Sequence, residues 1–369
     1  MDPSKPELSW RRTTAEDAQS RHDDVYFLTP ALGWAANSDG KIIKTEDGGM
    51  HWDTQFVDED VYWRCLGFAS KSRGWAGTIG GAPNKRLFET FDGGVTWTAV
   101  ADLPQMAPSW ICGLSVVNES VVYASGTNEP FPARSRPPRM MKTMDGGKTW
   151  FAWDMSLHAS LLVDTYFTSA TRGWVVGGAV VSGVPLPAPT PEMNEEWRVR
   201  ANVKPVVLLT EDGGQTWDDR LAEVKDNFPL GEWGWKIQFL NDQLGFVSLE
   251  NAYAGAILKT TDGGRHWNRI EVKDPQGNIN LEGIGFLDEK TGWVGGWGTT
   301  EMEEGEGGFS SATCNGGETW ADANQIGTYI NRFRFLGDPV TVGYAAASAF
   351  TNIRMSQSFH ETSRSDPAL

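Results

Sequence analysis

Cysteine is nearly missing from this chain: three in 369 residues, at Cys65, Cys112 and Cys314. That is too few, and too scattered, for a disulfide framework or a paired-cysteine metal site. All three are expected to be buried free thiols. Positive charge is also short, with 32 Lys and Arg against 48 Asp and Glu and a net charge of −16. Such a balance argues against nucleic acid or an anionic membrane as partner, and favours a cationic protein face or a neutral small molecule. No apolar run reaches the roughly 18 residues of a spanning helix, so no membrane insertion is expected. The opening MDPSKPELSW lacks the basic and apolar regions of a signal peptide. The reading is therefore a soluble, cytoplasmic chain, or a periplasmic or lumenal one if a signal has been removed. Histidine is scarce too, and its five copies offer no metal-ligand spacing, so neither metal nor cofactor is expected.

What is abundant is repetition. The phrases KTEDGGMHW, ETFDGGVTW, KTMDGGKTW, LTEDGGQTW, KTTDGGRHW and ATCNGGETW end at Trp52, Trp97, Trp150, Trp217, Trp267 and Trp320, at intervals of 45 to 67 residues. Strand-like repeats near 50 residues predict propeller blades. Within each phrase the Gly-Gly pair supplies positive φ for a tight turn. The acid before it folds onto the turn's own amides. Asp47, Asp92, Asp145, Asp212, Asp262 and the substituting Asn315 are accordingly read as structural. The closing Trp is read as a plug between neighbouring sheets.

A second marker, Gly-Trp or a variant, precedes each phrase: Gly33-Trp34, Gly74-Trp75, Val122-Tyr123, Gly173-Trp174, Gly245-Phe246, Gly292-Trp293, and Gly343-Tyr344 near the end. Each marker follows a short apolar strand, which makes seven blades. The expected bounds are 23–57, 61–101, 110–155, 160–222, 233–273, 281–323, and 331–356 completed by 8–13, with 357–369 a flexible tail. The last blade has three strands of its own and no closing phrase. LSWRRT at 8–13 resembles the sequence after every other phrase, so the N-terminus is expected to supply the fourth strand with Trp10 as plug.

In a blade running outward from the axis, each phrase is the hairpin between strands three and four. The opposite face carries the loops between strands two and three. Three of these are long, at 126–139, 177–204 and 296–308, and their length suggests a ligand-covering or docking role. The starts of the inner strands are expected to ring the channel mouth on that face. They contribute Asp23 and Asp24; Tyr62, Trp63 and Arg64; Trp110; His158, Asp164 and Tyr166; Trp233, Trp235 and Lys236; Asn280 and Glu282; and Tyr329, Asn331 and Arg332. Aromatics interleaved with both signs of charge suit a ligand-binding surface, for which Tyr62, Trp63, Arg64, Trp110, Tyr166, Trp233, Trp235, Lys236 and Arg332 are candidates. For acid–base chemistry His158, Asp164 and Glu282 are the candidates.

The phrases match the Asp-box, or BNR, repeat, and their pairing with the Gly-Trp marker resembles the Ycf48/HCF136 photosystem II assembly-factor family over about residues 8–355. The resemblance implies a seven-bladed propeller and a non-enzymatic lumenal or periplasmic factor that holds a protein partner through one face. The expected function is thus a monomeric binding or assembly-type protein acting through its loop-decorated face. The alternative is an enzyme with a lidded channel-mouth pocket, a hydrolase or lyase on a glycan or small hydrophobic metabolite.

Overall fold

The computed structural model describes residues 10–80, 82–127, 137–185, 200–251, 253–275, 277–299, 310–323, 326–337, 340–348 and 350–354. Seven four-stranded antiparallel sheets are found, six of them in simple sequence order. In blade one the strands are His22–Phe27, Gly33–Asn37, Lys41–Thr45 and Asp53–Val57, from the axis outward. The inner strands of the others are Tyr62–Phe68, Trp110–Val116, Leu161–Phe167, Glu232–Phe239, Asn278–Phe286 and Arg332–Leu336. The seventh sheet joins the two ends of the chain, because Arg11 pairs with Asn352 and Arg12 with Thr351. Trp10 lies edge-on to Trp293 of blade six, with ring centroids 5.5 Å apart. The fold is a seven-bladed β-propeller whose last blade is closed by the N-terminal strand. Among the described residues, no helix is long and apolar enough to cross a membrane.

Apolar residues gather between neighbouring blades, and one aromatic stack recurs there. In five of the seven blades the marker aromatic lies on the aromatic that ends the next blade's inner strand. Trp34 stacks on Phe68 at 3.6 Å, Tyr123 on Phe167 at 3.5 Å and Phe246 on Phe286 at 3.8 Å. The phrase Trp meets the same Phe edge-on, as Trp97 does Phe68 at 5.8 Å. This geometry accounts for the marker glycine. A Cβ on Gly33 or Gly74 would lie 2.5 or 2.6 Å from the Phe ring of its own blade. Blade three varies both members together: Val116 replaces the Phe, and its register partner Val122 replaces the Gly.

Each phrase closes on itself. In blade two the Thr90 hydroxyl donates to Asp92 Oδ1 and accepts from the Gly94 amide, both at 2.9 Å. Asp92 Oδ1 also accepts from the Thr96 amide, while its Oδ2 accepts from the Thr96 hydroxyl. The Gly93 amide then bonds Ser72 O, tying the phrase to the inner hairpin of its blade on the same face. Two of the three cysteines, Cys65 and Cys112, are buried as expected, but Cys314 is exposed. It occupies the outward position of its turn, where nothing covers it.

Candidate functional site

Six of the seven inner strands carry a β-bulge near their loop-face start: at His22/Asp24, Trp63/Cys65, Ile111/Gly113, Leu162/Asp164, Gly234/Ile237 and Leu281/Gly283. A bulge opposes two residues to one and re-aims a side chain. It also leaves backbone groups unpaired, which neighbouring blades supply here. Asp24 accepts from the Leu66 amide, Asp164 from the Ile237 amide, and Ser248 donates to Glu282 O while accepting from the Lys236 amide.

The re-aimed residues meet in the channel. Arg332 of blade seven makes two 3.0 Å hydrogen bonds to Asp164 of blade four, and its Nε donates to Asp24 of blade one at 3.0 Å. Arg64 pairs with Asp23, which also accepts from Asn331 at 2.7 Å. Arg21 pairs with Glu282 and donates to the Tyr62 hydroxyl at 3.2 Å. Trp235 donates to Asn331 Oδ1 at 3.2 Å, and the Arg64 guanidinium lies 4.9 Å from the centroid of its ring. Contacts between blades one and six, two and five, and four and seven are possible only through the axis. The inner strands therefore close the channel with a buried ionic cluster.

Electrostatics inside the cluster follow from pairing against desolvation. Burial opposes ionisation of Asp164, yet Arg332 and Lys236 hold its pKa below the usual value. Burial works against Arg332 and Arg21 too, but their carboxylate partners hold both above the ordinary arginine value. Lys236 is the exception: its Nζ is buried without a hydrogen-bond partner, and burial together with Arg332 lowers its pKa.

The structure separates the candidates named from sequence. Trp63, Arg64, Trp233 and Lys236 are 0%, 3%, 3% and 1% exposed. Trp63 packs between blades one and two, and Trp233 donates to Glu250 at 3.0 Å. Tyr62, Trp110 and Trp235 are half-buried on the loop face. His158 lies in the turn between blades three and four, and no hydrogen bond or ion pair joins it to Asp164 or Glu282. Both carboxylates are committed to arginines. The long-loop segments 128–136, 186–199 and 300–309, like the tail 357–369, lie outside the described residues.

Tyr166 stands apart from the other candidates. Its strand runs Leu161–Phe167, so Tyr166, next to the strand's end, reaches the far mouth, on the face of the repeat phrases. There a cavity of about 980 Å³ opens, floored by Arg332 and lined by Tyr26, Tyr166, Gln238, Phe239 and Arg334 among others. Sequence reading looked to the loop face and missed Tyr26, Gln238 and Arg334. The alternation Arg332-Phe333-Arg334-Phe335 is the signal that places both guanidiniums on one strand face.

No family model matches the chain. It is 25% identical over 296 residues to the photosystem II assembly lipoprotein Ycf48 of Synechococcus sp. strain CC9902, covering 74% of this chain and 82% of that protein. It is 22% identical over 306 residues to the photosystem II stability/assembly factor HCF136 of Arabidopsis thaliana, covering 73% and 72%. A solved structure described as Ycf48 bound to a D1 peptide superposes with a TM-score of 0.61 at 14% identity, over 96% of this chain and 99% of that one. The chain is thus similar to Ycf48 and HCF136 in sequence and shares the propeller fold of Ycf48.

Proposed function

We propose that this protein is a binding factor of the assembly type, holding a segment of a partner protein against its loop face. The observation that carries the reading is the similarity to Ycf48 and HCF136 in sequence, joined to a shared fold with a Ycf48 described as bound to a D1 peptide. The geometry supports it. With the channel shut by ion pairs, the half-buried Tyr62, Trp110 and Trp235 surround a plugged mouth instead of a deep one. Partly exposed aromatics on such a surface suit protein contacts. The enzyme alternative gains no support, because its acid candidates are held by arginines. A monomer in a periplasmic or lumenal compartment belongs to the same reading, given relatives named as a lipoprotein and as chloroplastic.

The test is photo-crosslinking in the native host. A crosslinking amino acid replaces Trp110 on the loop face or, in a second variant, the exposed Gln215 of the blade-four phrase on the opposite face. A discrete protein adduct from position 110 and none from 215 is the expected result. Adducts from 215 alone would reverse the face, and no protein adduct from either position would overturn the reading.

A further inference from the structure

The two layers of the channel differ in how their charges are answered. In the layer toward the loop face, Asp23, Asp24, Asp164 and Glu282 take up Arg64, Arg332 and Arg21. Two residues beyond Arg332, on the same face of the strand, comes Arg334. Its Nε donates to Val25 O at 3.3 Å, and its guanidinium lies 5.6 Å from the centroid of Tyr26. Among the described residues no carboxylate reaches it within ion-pair distance. The two acids near the cavity rim, Asp242 and Asp288, are both exposed, and Asp288 accepts from the amides of Lys290 and Thr291 in its own turn. Burial and the neighbouring Arg332 lower the pKa of Arg334, but a guanidinium remains charged at neutral pH. In a chain of net charge −16, Arg334 is thus a half-buried cation with no carboxylate partner among the described residues, in the wall of a cavity of about 980 Å³.

The surroundings narrow what would answer it. Arg334 is within electrostatic reach of the phenols of Tyr26 and Tyr166, from blades one and four. The Tyr26 hydroxyl already donates to Phe68 O at 2.7 Å. The Tyr166 hydroxyl has no hydrogen-bond partner among the described residues, while its ring is held against Phe239 at 5.5 Å. Leu114, Phe239, Ile284 and Phe335 give the remaining wall an apolar character. One guanidinium without a carboxylate partner and one hydroxyl without a hydrogen bond among the described residues match a single negative charge, and a planar fork matches a carboxylate. The cavity is of mixed polarity, and apolar wall beside a few convergent polar groups is the usual form of a small-molecule site.

We propose that this cavity binds a small monocarboxylate with a flat apolar body, its carboxylate on Arg334 and Tyr166 and its body against Phe239, Leu114 and Ile284. The site lies on the face opposite the one assigned to the partner protein, so each reading stands or falls separately. The probe is phenylacetate, with phenylacetamide as its uncharged counterpart, titrated into the purified chain by calorimetry at constant salt. Phenylacetate is expected to bind saturably, and phenylacetamide at least tenfold more weakly. Arg334→Gln is expected to lose at least tenfold in affinity. Tyr166→Phe, which keeps the ring and its packing, should lose several-fold, and circular dichroism confirms that both variants are folded. No saturable binding of phenylacetate, equal binding of the amide, or wild-type affinity in a folded Arg334→Gln protein would each overturn the proposal.

Discussion

Arg332 is the residue on which the axis turns. Its three hydrogen bonds span the channel to carboxylates of blades one and four that are themselves buried. Removing one partner of a buried pair strands the other, at a cost of about 3–5 kcal/mol. Asp164→Ala is therefore expected to destabilise the protein by about that amount, read as a lower urea midpoint. The same variant also leaves the Ile237 amide without its acceptor. Lys236 makes the opposite prediction. Its amine is buried with no hydrogen bond to offset desolvation, so Lys236→Met, of similar length, should leave the midpoint unchanged or raise it. A large loss of stability in Lys236→Met would show that its attraction to Asp164 and Asp24 outweighs its desolvation.

The phrase is the unit at the scale of the element, and its hydroxyl is the least replaceable part. Thr90 is 1% exposed and links the acid to the second glycine. Thr90→Val keeps the shape but leaves the buried Gly94 amide unanswered, at about 1–3 kcal/mol. The acid tolerates more. Asn315 stands in blade six, still accepts from the Thr319 amide at 3.0 Å and donates to the Thr319 hydroxyl. Asp92→Asn should thus lower the melting temperature less than Asp92→Ala.

These acids also set a response to pH. The hydroxyls of Thr149 and Thr216 hold Asp145 and Asp212 at about 2. Burial raises Asp262, but its bonds to the His266 amide and ring bring it to about 2 as well. An unfolded aspartate titrates near 3.9, so each contribution is complete above about pH 4 and is lost as the pH falls toward the folded value. Tryptophan fluorescence should report unfolding between about pH 4 and 2, and Asp145→Asn with Asp212→Asn should flatten the dependence of stability on pH in that window.

The same scale explains what could be read in advance. The side-chain hydrogen bonds that shape each phrase, as from Thr90 and Asp92, fall within its own nine residues, so its chemistry is local and its signature survives in one sequence. The blade count and the closing strand were legible for that reason. The channel was not. Whether Asp164 meets Arg332 depends on the bulge at Leu162/Asp164 in its own strand, and on blades brought together across 168 positions of sequence. A bulge has no sequence signature in these strands. Sequence could name Asp164, Glu282 and Arg332 as neighbours of the axis but not pair them, and it placed Tyr166 at the wrong mouth.

For the whole molecule, ring closure decides whether the blades cohere. A propeller with an open seam presents the unpaired edge of its last sheet to other chains. Here the seam is covered by two residues of strand, Arg11 and Arg12, with hydrogen bonds from the Thr13 amide and hydroxyl to Phe350 O at 2.9 and 3.0 Å. So short a ladder contributes little alone. Most of the closure rests on Trp10, 6% exposed among Trp293, Phe333 and Phe335. Large-to-small replacement of a buried Trp costs about 3–5 kcal/mol, so Trp10→Ala should approach the effect of deleting residues 1–13. The deletion alone uncovers the edge of Thr351–Arg354, and only it should produce aggregation that rises with protein concentration. Melting temperature and light scattering, measured on both variants across a concentration series, separate the two effects. A deletion variant that melts like the full chain and scatters no more light than it would show that the pairing between the ends is dispensable, and that inter-blade stacks such as Trp34 on Phe68 hold the ring by themselves.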